Sequence, residues 1–191
     1  SRQHGRARMS DCHFVIGGVR SGKSAHAQAL VLAAEHEGYA VSVIATALPA
    51  DAQMRERIDR HRADRPAHWP VTEAPPTVSG LADAIKACAH ARACVLIDCL
   101  TVWLSQLICP PAGVLAVDAS EASAQLLRAL DAAPGRIVVV SNEIGLGVVP
   151  MDEATRVVVD ALGRLHQAVA ARSARVSWMV AGVPVPIKGG S

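Results

Sequence analysis

Aromatic side chains are scarce in this chain: one Phe, one Tyr and three Trp, 3% of 191 residues. A core built almost without rings must be filled by small and branched aliphatics. Ala and Val dominate here, which points to closely packed helices on a Val-rich sheet. Charge of one sign is lacking too. The formal balance is +2, and the one dense basic stretch, Arg55–Arg65, is interleaved with acids. That excludes the broad basic stripe of a nucleic-acid binder. The five cysteines are odd in number and contain no CxxC pair. A disulfide framework or a zinc site is therefore not expected, and they read as small buried hydrophobes in a reducing cytosol. No apolar run has the length of a membrane span. The first residues, SRQHGRAR, lack the apolar core of a signal peptide, so a cytoplasmic location is expected. What is abundant is core material. At 51% hydrophobic and 19% charged residues, a chain of this length can bury enough surface to fold as one domain. The expected division is a disordered extension over 1–8, a single domain over 9–188, and a tail over 189–191.

Five short apolar runs read as strands: His13–Gly17, Ala40–Ala45, Cys94–Asp98, Arg136–Ser141 and Arg175–Ala181. They are near-continuous rather than alternating, as strands covered on both faces should be. Helical segments lie between them at Lys23–Glu37, Asp51–Asp64, Val78–Arg92, Ala119–Ala132 and Asp152–Arg172. Such alternation predicts βαβ units and a three-layer α/β fold with a mainly parallel sheet. Thr72–Thr77 and Cys109–Gly113 read as loops.

The segment Gly17-Gly18-Val19-Arg20-Ser21-Gly22-Lys23-Ser24 fits GxxxxGK[ST]. Its context carries more weight than the string, because an apolar strand precedes it and an Ala/Leu-rich helix follows. In that setting a glycine loop turns its N–H groups toward phosphates at a helix N-terminus. Lys23 supplies positive charge at the β/γ-phosphates, and the Ser24 hydroxyl can ligate Mg²⁺. Asp98 ends the third run. Its position leaves two readings open: a magnesium-associated acid at the end of a buried strand, or a cap for the next helix. In the second helix Met54, Ile58 and His61 share a face, while Arg55, Glu56, Asp59 and Arg62 are expected to point elsewhere. An imidazole held off solvent beside arginines can act as base or nucleophile. The pattern alone favours a locally hydrogen-bonded histidine. The remaining histidines read as structural, surface or tail residues.

Taken together, four stretches resemble the bifunctional adenosylcobinamide kinase/adenosylcobinamide-phosphate guanylyltransferase family of cobalamin biosynthesis. They are GGVRSGKS (Gly17–Ser24); IAT (Ile44–Thr46) with RIDRHRADRPAHW (Arg57–Trp69); IDCLTVWLSQL (Ile97–Leu107); and VSNEIGLGVVP (Val140–Pro150) with Arg156 and LGRLHQ (Leu162–Gln167). The ending VAGVPVPIK (Val180–Lys188) is similar too, so the likeness covers roughly Met9 to Lys188. Departures are minor: Val157 stands where relatives often carry Phe, and His166 where they carry Asn. Arg60-His61 replaces a pair of histidines found in some relatives.

The resemblance implies an enzyme that phosphorylates adenosylcobinamide with ATP or GTP. It then transfers GMP from GTP to adenosylcobinamide phosphate, giving adenosylcobinamide-GDP. It implies that His61 is the guanylylated residue. The implied nucleotide contacts are Gly17–Ser24, Thr46, Ala47, Arg65, Glu73 and Asp98, with Mg²⁺ on Ser24 and Asp98. A homotrimer is implied as well. Two other classes compete: a P-loop small-molecule kinase with no covalent intermediate, and a non-catalytic nucleotide switch or assembly ATPase. Neither has a use for the RHRADRPAHW segment.

Overall fold

The computed structural model describes residues 11–48 and 52–190, in which a seven-stranded sheet is covered by helices on both faces. The strands are β1 (Asp11–Gly17), β2 (Ala40–Ala45), β3 (Val71–Glu73), β4 (Ala93–Asp98), β5 (Arg136–Asn142), β6 (Arg175–Val180) and β7 (Val183–Lys188). The helices are α1 (Lys23–His36), α2 (Ala52–Ala63), α3 (Gly80–Cys88), α4 (Leu100–Ile108), α5 (Ala119–Ala132) and α6 (Glu153–Arg172). Sheet order is β3-β2-β4-β5-β1-β6-β7. Every pairing is parallel except β6 with β7, so the mainly parallel α/β fold expected from the sequence is the one found. Among the described residues no helix is long and apolar enough to cross a membrane.

The continuous apolar runs follow from burial on both faces. Along β1, Cys12, Phe14 and Ile16 join a core that includes Leu81 and Ile85 of α3, Leu104 of α4, Leu126 of α5 and Leu162 of α6. The alternate residue Val15 faces the other way, packing with Ala27 and Val31 of α1 and with Trp69. Strand side chains alternate between faces, so a strand covered on both sides needs an apolar residue at every position.

Three elements depart from expectation. Val71–Glu73 pairs with β2 as a short edge strand, although Thr72 and Glu73 had read as loop. It is too short and exposed to leave an apolar trace. Helix α4 went unseen because LTVWLSQLI, five of whose nine residues are buried, is shorter than the window over which a helical period can be counted. Strand β7 contains Pro184 and Pro186, which argue against a central strand but are tolerated at an edge. Its hairpin turns on Ala181 and Gly182, both at positive φ (50° and 80°), as a two-residue type I′ connection requires.

The helices differ at their starts. Asp118 caps α5 by accepting from the N–H groups of Ser120 and Glu121, both at 3.0 Å. Asp152 caps α6 through Thr155 N–H at 2.7 Å. Caps of this kind contribute about 1 kcal/mol each. Helix α1 instead begins after Gly22, at φ 90° with no side-chain cap. Its first N–H groups are thereby left to an external anion.

Parallel pairing brings the C-terminal ends of four strands to one rim. Ala45 stands beside Asp98 in register, and Gly17 beside Asn142. Ligands of open parallel sheets sit at this rim.

Candidate nucleotide site

The Gly17–Ser24 loop leaves β1 at that rim and ends in the first turn of α1. Its shape is fixed by close approaches. A Cβ on Gly17 would lie 2.5 Å from Ser21 Oγ and 2.9 Å from Met179 O, so no side chain fits there. Gly22 is left-handed, and its would-be Cβ lies 3.0 Å from Gly182 Cα. Gly182 N–H also donates to Ser21 O at 2.9 Å, so the β6–β7 turn braces the loop from behind. Arg20 takes φ 54°. Val19 stays largely exposed, while Ser21 is buried. Lys23 Nζ donates to Gly18 O at 3.0 Å, which places the ammonium over the loop.

Facing the loop is a cleft lined by Lys23, Ser24, Ala45, Ala47, Ile58, Arg62, Arg65, Glu73, Asp98, Cys99, Val102 and Asn142. Six of the residues singled out from sequence thus share one cavity: Lys23, Ser24, Ala47, Arg65, Glu73 and Asp98. Thr46 is buried and does not line it. Its N–H donates to Asp98 O at 3.2 Å, its Oγ1 donates to Cys99 O at 2.8 Å, and Cys99 N–H donates to Thr46 Oγ1 at 2.9 Å. Thr46 therefore clamps the end of β2 to the end of β4. Burial pushes the Cys99 thiol up to about 12, so it stays neutral and inert as a nucleophile.

Two arginines cross the cleft from the α2 side. Arg65 donates to Asp98 Oδ2 in a largely buried ion pair. Arg62 donates to Glu73 Oε1 at 2.8 Å in an exposed one. Asp98 does not cap α4, whose N-cap residue Cys99 has no side-chain bond; the capping reading of Asp98 is not what the fold uses. Arg62 had been placed off the Ile58 face of α2, yet both line the cleft. Four residues advance a helix by about 400°, so i and i+4 differ by only ~40°. His61 lies in α2, one residue before Arg62. Its side chain, like that of Met54, lies outside the described residues. Beyond α2, His68 Nε2 meets Glu35 Oε1 at 2.6 Å, and Trp69 Nε1 donates to the same oxygen at 3.2 Å. The RPAHW segment is thus fastened to α1 by a carboxylate and a buried indole.

This combination of a phosphate loop with an arginine-bearing segment of specific sequence is what the comparisons with known proteins address. Residues 13–187 match the family described as cobinamide kinase / cobinamide phosphate guanyltransferase. The chain belongs to that family. It is 47% identical over 179 residues to the bifunctional adenosylcobalamin biosynthesis protein CobP of Pseudomonas aeruginosa, covering 92% of this chain and 96% of that one. To the bifunctional adenosylcobalamin biosynthesis protein CobU of Escherichia coli it is 34% identical over 185 residues, covering 92% and 98%. The protein of that name from Salmonella typhimurium is 34% identical over the same length.

Several of the residues that line the cleft were not found from sequence. Cys99 and Val102 at the start of α4 and Ala45 at the end of β2 were not singled out, because small or apolar residues look like core. Asn142 ends β5, one residue past the predicted boundary. Behind it runs a buried polar chain. Asn142 N–H donates to Thr101 Oγ1 at 2.8 Å, Thr101 Oγ1 meets Ser141 Oγ at 2.9 Å, and Ser141 Oγ meets His166 Nε2 at 2.6 Å. Burial lowers His166 to about 4, so the imidazole is neutral near pH 7 and serves as a hydrogen-bonding partner. Among the described residues no three His, Cys, Asp or Glu side chains come together as a metal site. A cation here would depend on phosphate oxygens and water for most of its shell, as Mg²⁺ commonly does.

Proposed function

We propose that this chain phosphorylates adenosylcobinamide with ATP or GTP and then transfers GMP from GTP to adenosylcobinamide phosphate. The products are adenosylcobinamide-GDP and pyrophosphate. The observation that carries the reading is the shared cleft: Lys23 and Ser24 of the phosphate loop line it together with Arg62 and Arg65 from the α2 segment. A kinase alone needs the first group. The second supplies cations for a step that brings two polyanions together.

In this reading Gly17, Gly18, Val19, Arg20, Ser21 and Gly22 wrap the phosphates with backbone N–H groups, and Lys23 offsets their charge. Ala47, Arg65 and Glu73 complete the nucleotide contacts, and Thr46 behind them holds the ends of β2 and β4 together. Ser24 and Asp98 would hold Mg²⁺, since a hydroxyl and a carboxylate are the hard oxygen donors it takes. When bound, the ion neutralises triphosphate charge. His61 is the nucleophile of the second reaction. Its imidazole nitrogen forms a bond to the α-phosphorus as the bond to the bridging oxygen breaks and pyrophosphate leaves. The phosphate of adenosylcobinamide phosphate then attacks the same phosphorus, and the P–N electrons return to the imidazole. Splitting the exchange avoids a direct meeting of two anionic substrates.

A cytoplasmic homo-oligomer, a trimer by family resemblance, accompanies this reading. Exposed apolar side chains at Val183, Val185 and Ile187 on the edge strand, and at Leu146, Val148 and Met151 after β5, are the surface such contacts use.

The test is incubation with GTP labelled at the α- or the γ-phosphate. Label from the α position should stay on the protein in alkali and leave in acid, as a histidine phosphoramidate does. Label from the γ position should not attach. His61→Ala should abolish GMP transfer. Transfer at the normal rate by that variant, or label on another residue, refutes the assignment.

A further inference from the structure

We infer that Asn142 binds the attacking hydroxyl of the kinase acceptor and orients it toward the γ-phosphorus. The inference rests on the two-step reading above and concerns its first step.

The cleft has few side-chain acceptors. Asp98 is ion-paired with Arg65 and, with Ser24, is assigned to Mg²⁺ in the reading above, and Glu73 is ion-paired with Arg62 on the exposed side. Lys23, Arg62 and Arg65 are donors only. Asn142 Oδ1 is shielded from solvent and has no hydrogen-bond partner among the described residues. A phosphate oxygen, itself an acceptor, cannot satisfy it, but a hydroxyl can. Leaving such an atom unpaired in a folded interior is costly, and unpaired groups of this kind call for an explanation. The terminal torsion of an asparagine is broad, so the carboxamide can turn its oxygen into the cleft that the residue already lines.

Placement supports the same assignment. Strand β5 lies between β4, which ends in Asp98, and β1, which ends in the phosphate loop. Asn142 is the register partner of Gly17, and the next residue, Glu143, donates its N–H to Gly17 O at 3.0 Å. The carboxamide therefore stands at the root of the loop. Its backbone is pinned by Thr101 Oγ1, which is backed by Ser141 and the neutral His166. A group held by a buried chain of this kind is positioned by packed elements rather than by a free loop.

A carboxamide has one accepting edge and one donating edge. Its oxygen can accept from the hydroxyl while its NH₂ donates to an oxygen of the transferring phosphoryl group. In the kinase step the hydroxyl oxygen bonds to the γ-phosphorus. The bond to the β-bridging oxygen breaks with its electrons on the nucleoside diphosphate, and the hydroxyl proton passes to a phosphoryl oxygen. Asn142 takes no proton. In the guanylyl step the acceptor is a phosphate with no hydroxyl to orient, so the accepting edge has nothing to hold.

The two steps therefore give unequal responses to Asn142→Ala. We expect kcat for phosphorylation of adenosylcobinamide to fall roughly 10²-fold, the usual size of one lost preorganised contact, with little change in KM for the nucleotide. GMP transfer to adenosylcobinamide phosphate should fall at least tenfold less. Asn142→Ser, which keeps a hydroxyl able to accept, should recover part of the kinase rate. GTP-induced thermal shifts of both variants report that each folds and binds nucleotide. If the two rates fall in step, or neither falls, with an active wild type, the inference is overturned while the functional reading stands. A wild-type protein that phosphorylates no adenosylcobinamide overturns both.

Discussion

Replacing Arg65 with alanine tests whether a charge pair holds the floor of the nucleotide cleft. The Arg65 side chain keeps 8% of its accessible surface and that of Asp98 keeps 18%, so water solvates neither charge well. Truncating Arg65 leaves the carboxylate in that environment without its cation. Breaking a buried pair from one side costs about 3–5 kcal/mol. The residual exposure of Asp98 lets water restore part of the loss, which favours the lower end, about 3 kcal/mol. Each kcal/mol lowers Tm by roughly 2–4 °C at this chain length, so a fall of roughly 6–12 °C is expected. Asp98→Asn should cost a similar amount, because it strands the guanidinium, whose Nε already lacks a partner among the described residues. The two single changes remove one interaction. The double variant should therefore lose less than their sum, by about 1.5 kcal/mol or more. Urea or thermal unfolding of the four proteins measures the cycle. Losses that add to within about 0.5 kcal/mol, or an Arg65→Ala midpoint within about 2 °C of the wild type, would refute the reasoning.

Two further outcomes follow from the same geometry. Lys23→Ala should lower both the kinase and the guanylyltransferase rates by about 10²-fold, since one loop holds the triphosphate in each; steady-state assays of the two reactions check this, and normal turnover in either would show that the loop is not shared. His166 is held neutral in the fold, lowered from 6.5 to about 4 by burial, while the unfolded chain takes up a proton below about 6.5. Between those values the unfolded state binds more protons, so stability must fall as pH falls, by up to about 1.4 kcal/mol per pH unit for this residue. His166→Asn should flatten that slope in denaturation curves taken from pH 7 to pH 4, and an unchanged slope would show that the imidazole titrates freely.

The parallel α/β architecture was legible because burial on both faces writes itself into every strand position, as in FVIG and CVLID. Elements at the margins were not. Strand β3 has three residues, all exposed, and β7 carries two prolines that only an edge can accept. The Ala181-Gly182 pair carried no hairpin signal, because a turn needing positive φ at both positions is seldom written with alanine. Helix α4 was hidden by its length of nine residues, too short to show a period.

The sequence by itself determined the phosphate loop, its place between a strand and a helix, and the family to which the chain belongs. These are local: eight consecutive residues with glycines at fixed positions specify one backbone path, and RHRADRPAHW is specific as a string. What only the tertiary structure decided is which distant residues meet. Arg65 and Asp98 are 33 positions apart in the chain, and nothing in either segment announces their pairing. Thr46 read as a nucleotide contact, yet the fold spends its hydroxyl clamping β2 to Cys99. The Ala181-Gly182 turn braces the loop from more than 150 residues away. Asn142 lay in the VSNEIGLGVVP stretch that carries the resemblance, but nothing local marked it as a cleft residue. Its oxygen, unpaired among the described residues, sits where it does because β5 lies between β4 and β1 in the sheet, and strand order is set by long-range packing and crossover handedness rather than by any short stretch of sequence.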